Sequence, residues 1–198
     1  MTGLPKTPFD KEGDGDVVDT KRPTPRPKDA ATLILLRRDT TKPTVLMGKR
    51  SSRHQFMPDK YVFPGGRVDP QDGRVPSVSE LHPKSAEKLA IQARRRPRAF
   101  ALTAVRELFE ETGLIAGKPA EMPKAAPAGW ERLYDMDIAP CLQGFRFIGR
   151  AITPPYRPKR FDARFFLALA DDALIDDRPP MDGAELHDLQ WVTLEDAM

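Results

Sequence analysis

The stretch Arg106-Glu107-Leu108-Phe109-Glu110-Glu111-Thr112-Gly113-Leu114 decides how the rest of this chain is read. Together with the residues from Ala99 onward it has helical periodicity. At about 100° per residue, Leu102, Val105, Leu108, Phe109 and Thr112 fall within one arc of roughly 120°, a stripe that faces a core. Glu107, Glu110 and Glu111 fall within an arc of about 100° on the opposite side, spaced so that their carboxylates converge on one patch about a turn long. Like charges at that spacing repel by a few tenths of a kcal/mol per pair. Hard divalent cations such as Mg²⁺, which take oxygen ligands, remove the repulsion. Arg106 precedes Glu110 by one turn and can orient it, and Gly113 stands where a helix-ending glycine is favoured. Taken alone, the helix reads first as a solvated acidic face, and its context reverses that reading.

Upstream, Tyr61-Val62-Phe63-Pro64-Gly65-Gly66 runs an apolar strand into a proline and two glycines, which permit a tight turn and close backbone approach. Ala30 to Leu36 is a short apolar run bounded by charges and reads as a buried strand. Thr44 to Gly48 reads as a second, and the polar, proline-ended stretch Arg37 to Pro43 predicts a hairpin between them. Downstream, Phe145 to Ile152, Phe161 to Ala170 and Leu189 to Val192 predict further strands. Thr193 with Asp196 resembles a helix start, barely begun at Met198, as if the natural chain ran on. Residues 1 to 28 carry almost no aliphatic periodicity and predict a flexible tail ahead of a single domain over 29 to 198. Within that domain, the region about 70 to 97 has the look of an insertion. It contains Pro70, Gly73, Pro76 and Pro83, a short helix over Ser85 to Arg94, and the basic run Arg94 to Arg98.

At 198 residues the chain has room for one domain with a sizeable core, and its 39% hydrophobic and 31% charged composition is that of a soluble globular protein. A net charge of +3 does not by itself argue for nucleic-acid or membrane binding. The single cysteine, Cys141, excludes an intramolecular disulfide and a multi-cysteine zinc site and reads as a small buried hydrophobe. No apolar run approaches the roughly 20 residues that span a bilayer, and the N-terminus lacks the apolar stretch of a signal peptide. A cytoplasmic protein is the expectation. His54, His82 and His187 lack metal-ligand spacing, and Trp130 and Trp191 read as packing residues.

The nine residues quoted first resemble the end of the Nudix box, Arg-Glu-aliphatic-X-Glu-Glu-X-Gly-aliphatic, at every fixed position, and Phe63-Pro64-Gly65-Gly66 resembles the strand and turn that open it. The resemblance implies an α/β fold, the Nudix α/β/α sandwich with a mixed β-sheet, here carrying a helical or loop insertion. It also implies a Mg²⁺- or Mn²⁺-dependent hydrolase acting on a small-molecule diphosphate. Glu107, Glu110 and Glu111 would be the metal ligands, with Glu107 also a candidate general base. Arg106 would hold the glutamates, and Gly65 and Gly66 would shape the loop over substrate and metal. The physics agrees, because metals neutralise charge developing in phosphoryl displacement and lower the pKa of bound water.

Two departures stand out. The family spaces the second glycine and the arginine by fourteen residues, whereas Gly66 and Arg106 are about 26 further apart. The family's glutamate eight positions before the arginine falls on Arg98, so that group is missing or moved, with Asp69, Glu80 and Glu87 as substitutes. Insertions in the box resemble those of the peroxisomal coenzyme A diphosphatase branch. So do Phe56 to Gly66 and Arg160 to Phe166, which points to coenzyme A or acyl-coenzyme A among other diphosphates.

Three basic groups suit such a polyanion: Lys49-Arg50 with Arg53, Arg94 to Arg98, and Arg157 to Arg164. Arg50 and Arg164 are the leading substrate-binding candidates, although Arg164 reads as well as a structural ion-pair partner. Glu185, on a late loop, is a weaker candidate for an extra acidic ligand or base. Two rival readings are a Nudix-fold module that senses a metabolite without cleaving it and an RNA-processing or RNA-binding protein. The intact glutamate set opposes the first. Modest charge and the lack of an aromatic-interleaved basic stripe oppose the second, so no nucleic-acid partner is expected. Oligomeric state is not legible.

Overall fold

A computed structural model describes residues 24–38, 41–52 and 59–197. Most of the expected tail, together with Arg53, His54 and the Phe56 to Pro58 approach, lies outside them. The first strands are β1 (Lys28–Arg37) and β2 (Thr44–Arg50), antiparallel with Leu36 opposite Val45, as the hairpin reading requires. The strand-turn segment splits at its proline into β3 (Tyr61–Val62), paired to β2, and β4 (Gly65–Arg67), paired to the start of β1. After the insertion helix α1 (Pro83–Ala90) comes the long helix α2 (Pro97–Thr112), which begins on a proline and ends on Gly113 at φ 71°, the left-handed conformation that glycine adopts without strain.

A two-stranded ribbon, β5 (Gly117–Pro119) with β6 (Ile138–Pro140), brackets the short helix α3 (Glu131–Asp135). Then follow β7 (Arg146–Ile152), β8 (Phe161–Leu169), the single turn α4 (Ala170–Ala173) and β9 (Leu186–Thr193). Among the described residues the main sheet is mixed. β8 runs parallel to β1 over nine register pairs, while β7 on β8 and β9 on β2 are antiparallel. Near the end of the chain, Thr193 Oγ1 accepts from the Asp196 backbone N–H in a single turn.

The alternation of β1 puts Ala31, Leu33 and Leu35 into the core beside Phe166 and Ala168 of β8. There they meet Phe100, Val105 and Leu108 of α2, which lies across β1 and β4. Helix α2 is buried almost all round, a difference from the half-exposed helix its pattern suggests: Arg106 and Glu111 are only 7% and 4% exposed. Its polar side is covered by the loop ending at Trp130 and by the segment before β9, where the Met181 N–H donates to the Thr112 carbonyl. No helix among the described residues is long and apolar enough to cross a membrane.

The segment 70–97, expected from the sequence to be an insertion, contributes to the core. Leu81 and Leu89 are buried in it, and α1 packs on α2 and β7. Ser79 Oγ accepts from the backbone N–H groups of Leu142 and Gln143 and lies 3.3 Å from the buried Cys141 sulfur. Arg98 fastens the insertion's base to α2, donating to the carbonyls of Gly73 and Val75 and pairing with Glu80 at 2.9 Å.

Candidate active site

Glu107, Glu110 and Glu111 share one side of α2, where β4 passes close by. The Gly65 N–H donates to Glu111 Oε2 at 2.8 Å. A Cβ on Gly65 would lie 2.4 Å from the Ala31 carbonyl oxygen, and one on Gly66 would lie 2.4 Å from the Glu107 carboxylate. Glycine at 65 lets β4 lie this close to β1, and glycine at 66 leaves room for the Glu107 carboxylate beside the strand. The loop before β9 closes in the same way: a Cβ on Gly183 would meet the Glu111 carbonyl at 2.7 Å. That loop carries Glu185, whose charge is felt at Glu107, Glu110 and Glu111. Arg50, at the end of β2, acts on Glu111 with the opposite sign.

Burial dominates the electrostatics. It pushes the Glu107 carboxyl up to about 7, against the pull of Arg106 and with further upward pressure from Glu110 and Glu185. It pushes Glu111 up to about 8, reinforced by Glu107 and opposed by the Gly65 N–H and Arg50. Glu110, more exposed, is raised for the same reason. Such a set of acids has too little positive charge around it, which is the condition a divalent cation meets with hard oxygen ligands. Among the described residues the side chains do not stand in assembled metal-binding geometry. Arg106 Nη1 instead lies 2.9 Å from both Glu107 Oε1 and Glu110 Oε2. The donor set fits Mg²⁺ or Mn²⁺ in its chemistry, and holding one requires those carboxylates to turn partly away from Arg106.

The acid that the sequence left missing is Asp72. It is fully buried, with Oδ1 accepting from Arg106 Nε at 2.9 Å and from the Trp130 indole N–H at 3.0 Å. Its Oδ2 accepts from Arg106 Nη2 at 3.1 Å, the Thr103 hydroxyl at 2.6 Å and the Asp69 N–H at 2.9 Å. Burial alone would raise this carboxyl, but the Arg106 contacts and the two neutral donors hold it below the usual range. The family's spacing counted back from Arg106 falls on Arg98, because Gly66 and Arg106 are 40 residues apart here. Counting six forward from Gly66, the spacing that fourteen less eight implies, leads to Asp72. None of the proposed substitutes takes this place. Asp69 caps the turn at Gln71, Glu80 pairs with Arg98, and Glu87 is exposed on α1.

Arg164 is not brought to the acidic site. It is 1% exposed on β8, ion-paired with Asp162 and, at 3.8 Å, with Asp29, and its guanidinium lies 4.6 Å from the Phe100 ring. These contacts correct its expected role in substrate binding to the structural one, since a sheet-facing side chain beneath α2 has no solvent path. In the basic run, Arg95 pairs with Asp29 and Arg98 with Glu80. Trp130 is core, as expected, and Trp191 is half-buried with Arg37 4.3 Å from its ring.

A mixed sheet crossed by one carboxylate-bearing helix, with a glycine strand laid against its acids, is the α/β fold of the Nudix hydrolases. No family model matches the chain, but individual proteins do. It is 29% identical over 179 residues to the putative nudix hydrolase 7 of Caenorhabditis elegans, covering 83% of this chain and 51% of that protein. It is 26% identical to the acyl-coenzyme A diphosphatase NUDT19 of Gallus gallus, over 78% of this chain and 55% of that one. The chain thus spans about half the length of the curated relatives it matches. Among solved structures, a NUDIX hydrolase from Alicyclobacillus acidocaldarius superposes with a TM-score of 0.64 at 29% identity, covering 87% of this chain and 81% of that one. The resemblance read from the Arg106 to Leu114 stretch is borne out: the chain is a relative of the Nudix hydrolases in sequence and in fold.

Proposed function

We propose that the chain is a divalent-metal-dependent hydrolase that cleaves a phosphoanhydride bond in a nucleoside diphosphate derivative, with coenzyme A or acyl-coenzyme A the leading substrate class. The observation that carries this reading is the burial of Glu107 and Glu111 side by side, raised to about 7 and about 8, with Glu110 and Glu185 adding negative charge. A bound Mg²⁺ or Mn²⁺ would be held by Glu107, Glu110 and Glu111, and supplies charge neutralisation and water activation in this chemistry. Glu107, on the strand-facing side of the helix beside Gly66, is the candidate to take a proton from the attacking water. Arg106 restrains the carboxylates, Gly65 holds Glu111 through its N–H, and Arg50 offers a cation to an incoming phosphate. Hydrolysis places the water oxygen on one phosphorus and the bridging oxygen with the other half. From coenzyme A this yields 3′,5′-ADP and a phosphopantetheine.

The coenzyme A assignment is supported by the box insertion and by the activity named for the chicken relative. The test is a panel of diphosphates with Mg²⁺ or Mn²⁺, products resolved by chromatography, with chelator and Glu111→Gln controls. Cleavage of coenzyme A compounds, lost with chelator and in the variant, is the expected result. Cleavage of other diphosphates alone would overturn the substrate assignment, and ligand binding without cleavage would favour the sensing module.

A further inference from the structure

We propose that Trp130 is a positioning residue for the acidic site. Its indole N–H fixes Asp72, Asp72 fixes the Arg106 guanidinium, and the guanidinium sets where Glu107 and Glu110 present their oxygens. The inference rests on the hydrolase reading, since it concerns how that site is held ready for a cation.

Trp130 and Asp72 are both 0% exposed, and 58 residues of sequence separate them. An ionised carboxylate has about four acceptor positions, and Asp72 meets five donors: two nitrogens of Arg106, the Trp130 indole, the Thr103 hydroxyl and the Asp69 amide. With donors on both oxygens of a fully buried carboxylate, rotation of the group would strand a buried N–H or O–H. The indole shares Oδ1 with Arg106 Nε, so it fixes the oxygen that aligns the guanidinium. Arg106 has its remaining N–H groups committed as well, with the second of Nη2 to the Arg67 carbonyl at 3.1 Å and those of Nη1 to Glu107 and Glu110. A shift at Asp72 therefore reaches the glutamates through one rigid planar group.

The residue before Trp130 leaves room for the same group. Gly129 has φ +83°, and a Cβ there would sit 2.8 Å from Glu110 Oε1 and 3.0 Å from Arg106 Cδ. The segment is itself anchored: the Trp130 N–H donates to the Pro127 carbonyl, and its own carbonyl accepts from Tyr134 as α3 begins. Were Trp130 only core filling, the position of its N–H would not matter to the acids. Removal of the N–H with most of the ring kept separates the two roles.

The experiment uses the full chain without substrate, following free Mn²⁺ by electron paramagnetic resonance for wild type, Trp130→Phe and Thr103→Val. The last removes a different donor from Asp72 and nearly preserves volume. Partners behind metal ligands change metal affinity by on the order of 10- to 100-fold, and a loss of about tenfold in folded Trp130→Phe, with a parallel loss in Thr103→Val, is expected. In turnover the same variants should lose kcat with KM little changed. If Trp130→Phe does not fold, Thr103→Val decides by the same criterion. Wild-type Mn²⁺ affinity in the folded variants overturns the inference alone. No Mn²⁺ binding by the wild type overturns the hydrolase reading and the inference with it.

Discussion

Replacing Asp72 by Asn keeps its shape and removes its charge. The amide nitrogen is a donor, so one side-chain oxygen remains to face five donors, and at least one of the N–H bonds that Arg106 and Trp130 make to this side chain is lost. Removing one partner of a buried ion pair costs about 3–5 kcal/mol. For a domain of this size each kcal/mol lowers Tm by roughly 2–4 °C, so a fall of about 6–20 °C is expected near neutral pH. The pH dependence has a definite sign. The folded carboxyl lies below its ordinary value of 3.8, so its stabilisation is present above that pH and disappears as pH falls through the lower folded value. The gap between Asp72→Asn and wild type should therefore narrow in acid. Thermal unfolding by circular dichroism across pH, at constant ionic strength, measures both. A Tm within about 2 °C of wild type at pH 7 would mean that Asp72 does not hold Arg106, and the reasoning would fail.

Glu107 and Glu111 carry the opposite linkage. Their folded values near 7 and 8 lie above the ordinary 4.5, so the stabilisation from this pair is complete below 4.5 and lost as pH rises through 7 to 8. In chelator, Tm should fall over that window, and the Tm gain from Mn²⁺ should be larger at the alkaline end; a gain independent of pH would contradict it. Gly66→Ala places a methyl 2.4 Å from the Glu107 carboxylate, whose flexible end must swing away. Turnover should drop by on the order of 100-fold with little change in Tm, and normal turnover would show that Glu107 need not lie against β4. Arg98→Ala removes the bonds to Gly73, Val75 and Glu80 and should lower stability by about 1–3 kcal/mol in urea while leaving Mn²⁺ affinity intact.

The legible parts of the fold and site were those that local physics dictates. The apolar run Ala30 to Leu36, the helix stripe through Leu108, the glycine at 113 and the Gly65-Gly66 turn each follow from a few neighbouring residues. What stayed hidden depends on distant ones. Asp72 and Trp130 meet only because the segment after β4 folds back on α2 and the ribbon of β5 and β6 positions α3, which Trp130 precedes. Arg164 belongs to a basic run in sequence, yet the parallel pairing of β8 with β1 sets it opposite Ala31 and near Asp29. The acidic face was read correctly in its membership but not in its burial, since nothing in the periodicity announces the loops that cover it. That burial is what lifts two carboxyls toward neutrality.

The central claim is that the carboxylates of Glu107, Glu110 and Glu111 gather a divalent cation on α2. Calorimetric titration of the full chain with Mn²⁺ at pH 8, repeated in two buffers of different ionisation enthalpy, tests it most directly. Saturable binding with proton release is expected, abolished in a folded Glu107→Gln, Glu111→Gln double variant. Absence of binding in the wild type, or equal binding in the variant, would contradict it.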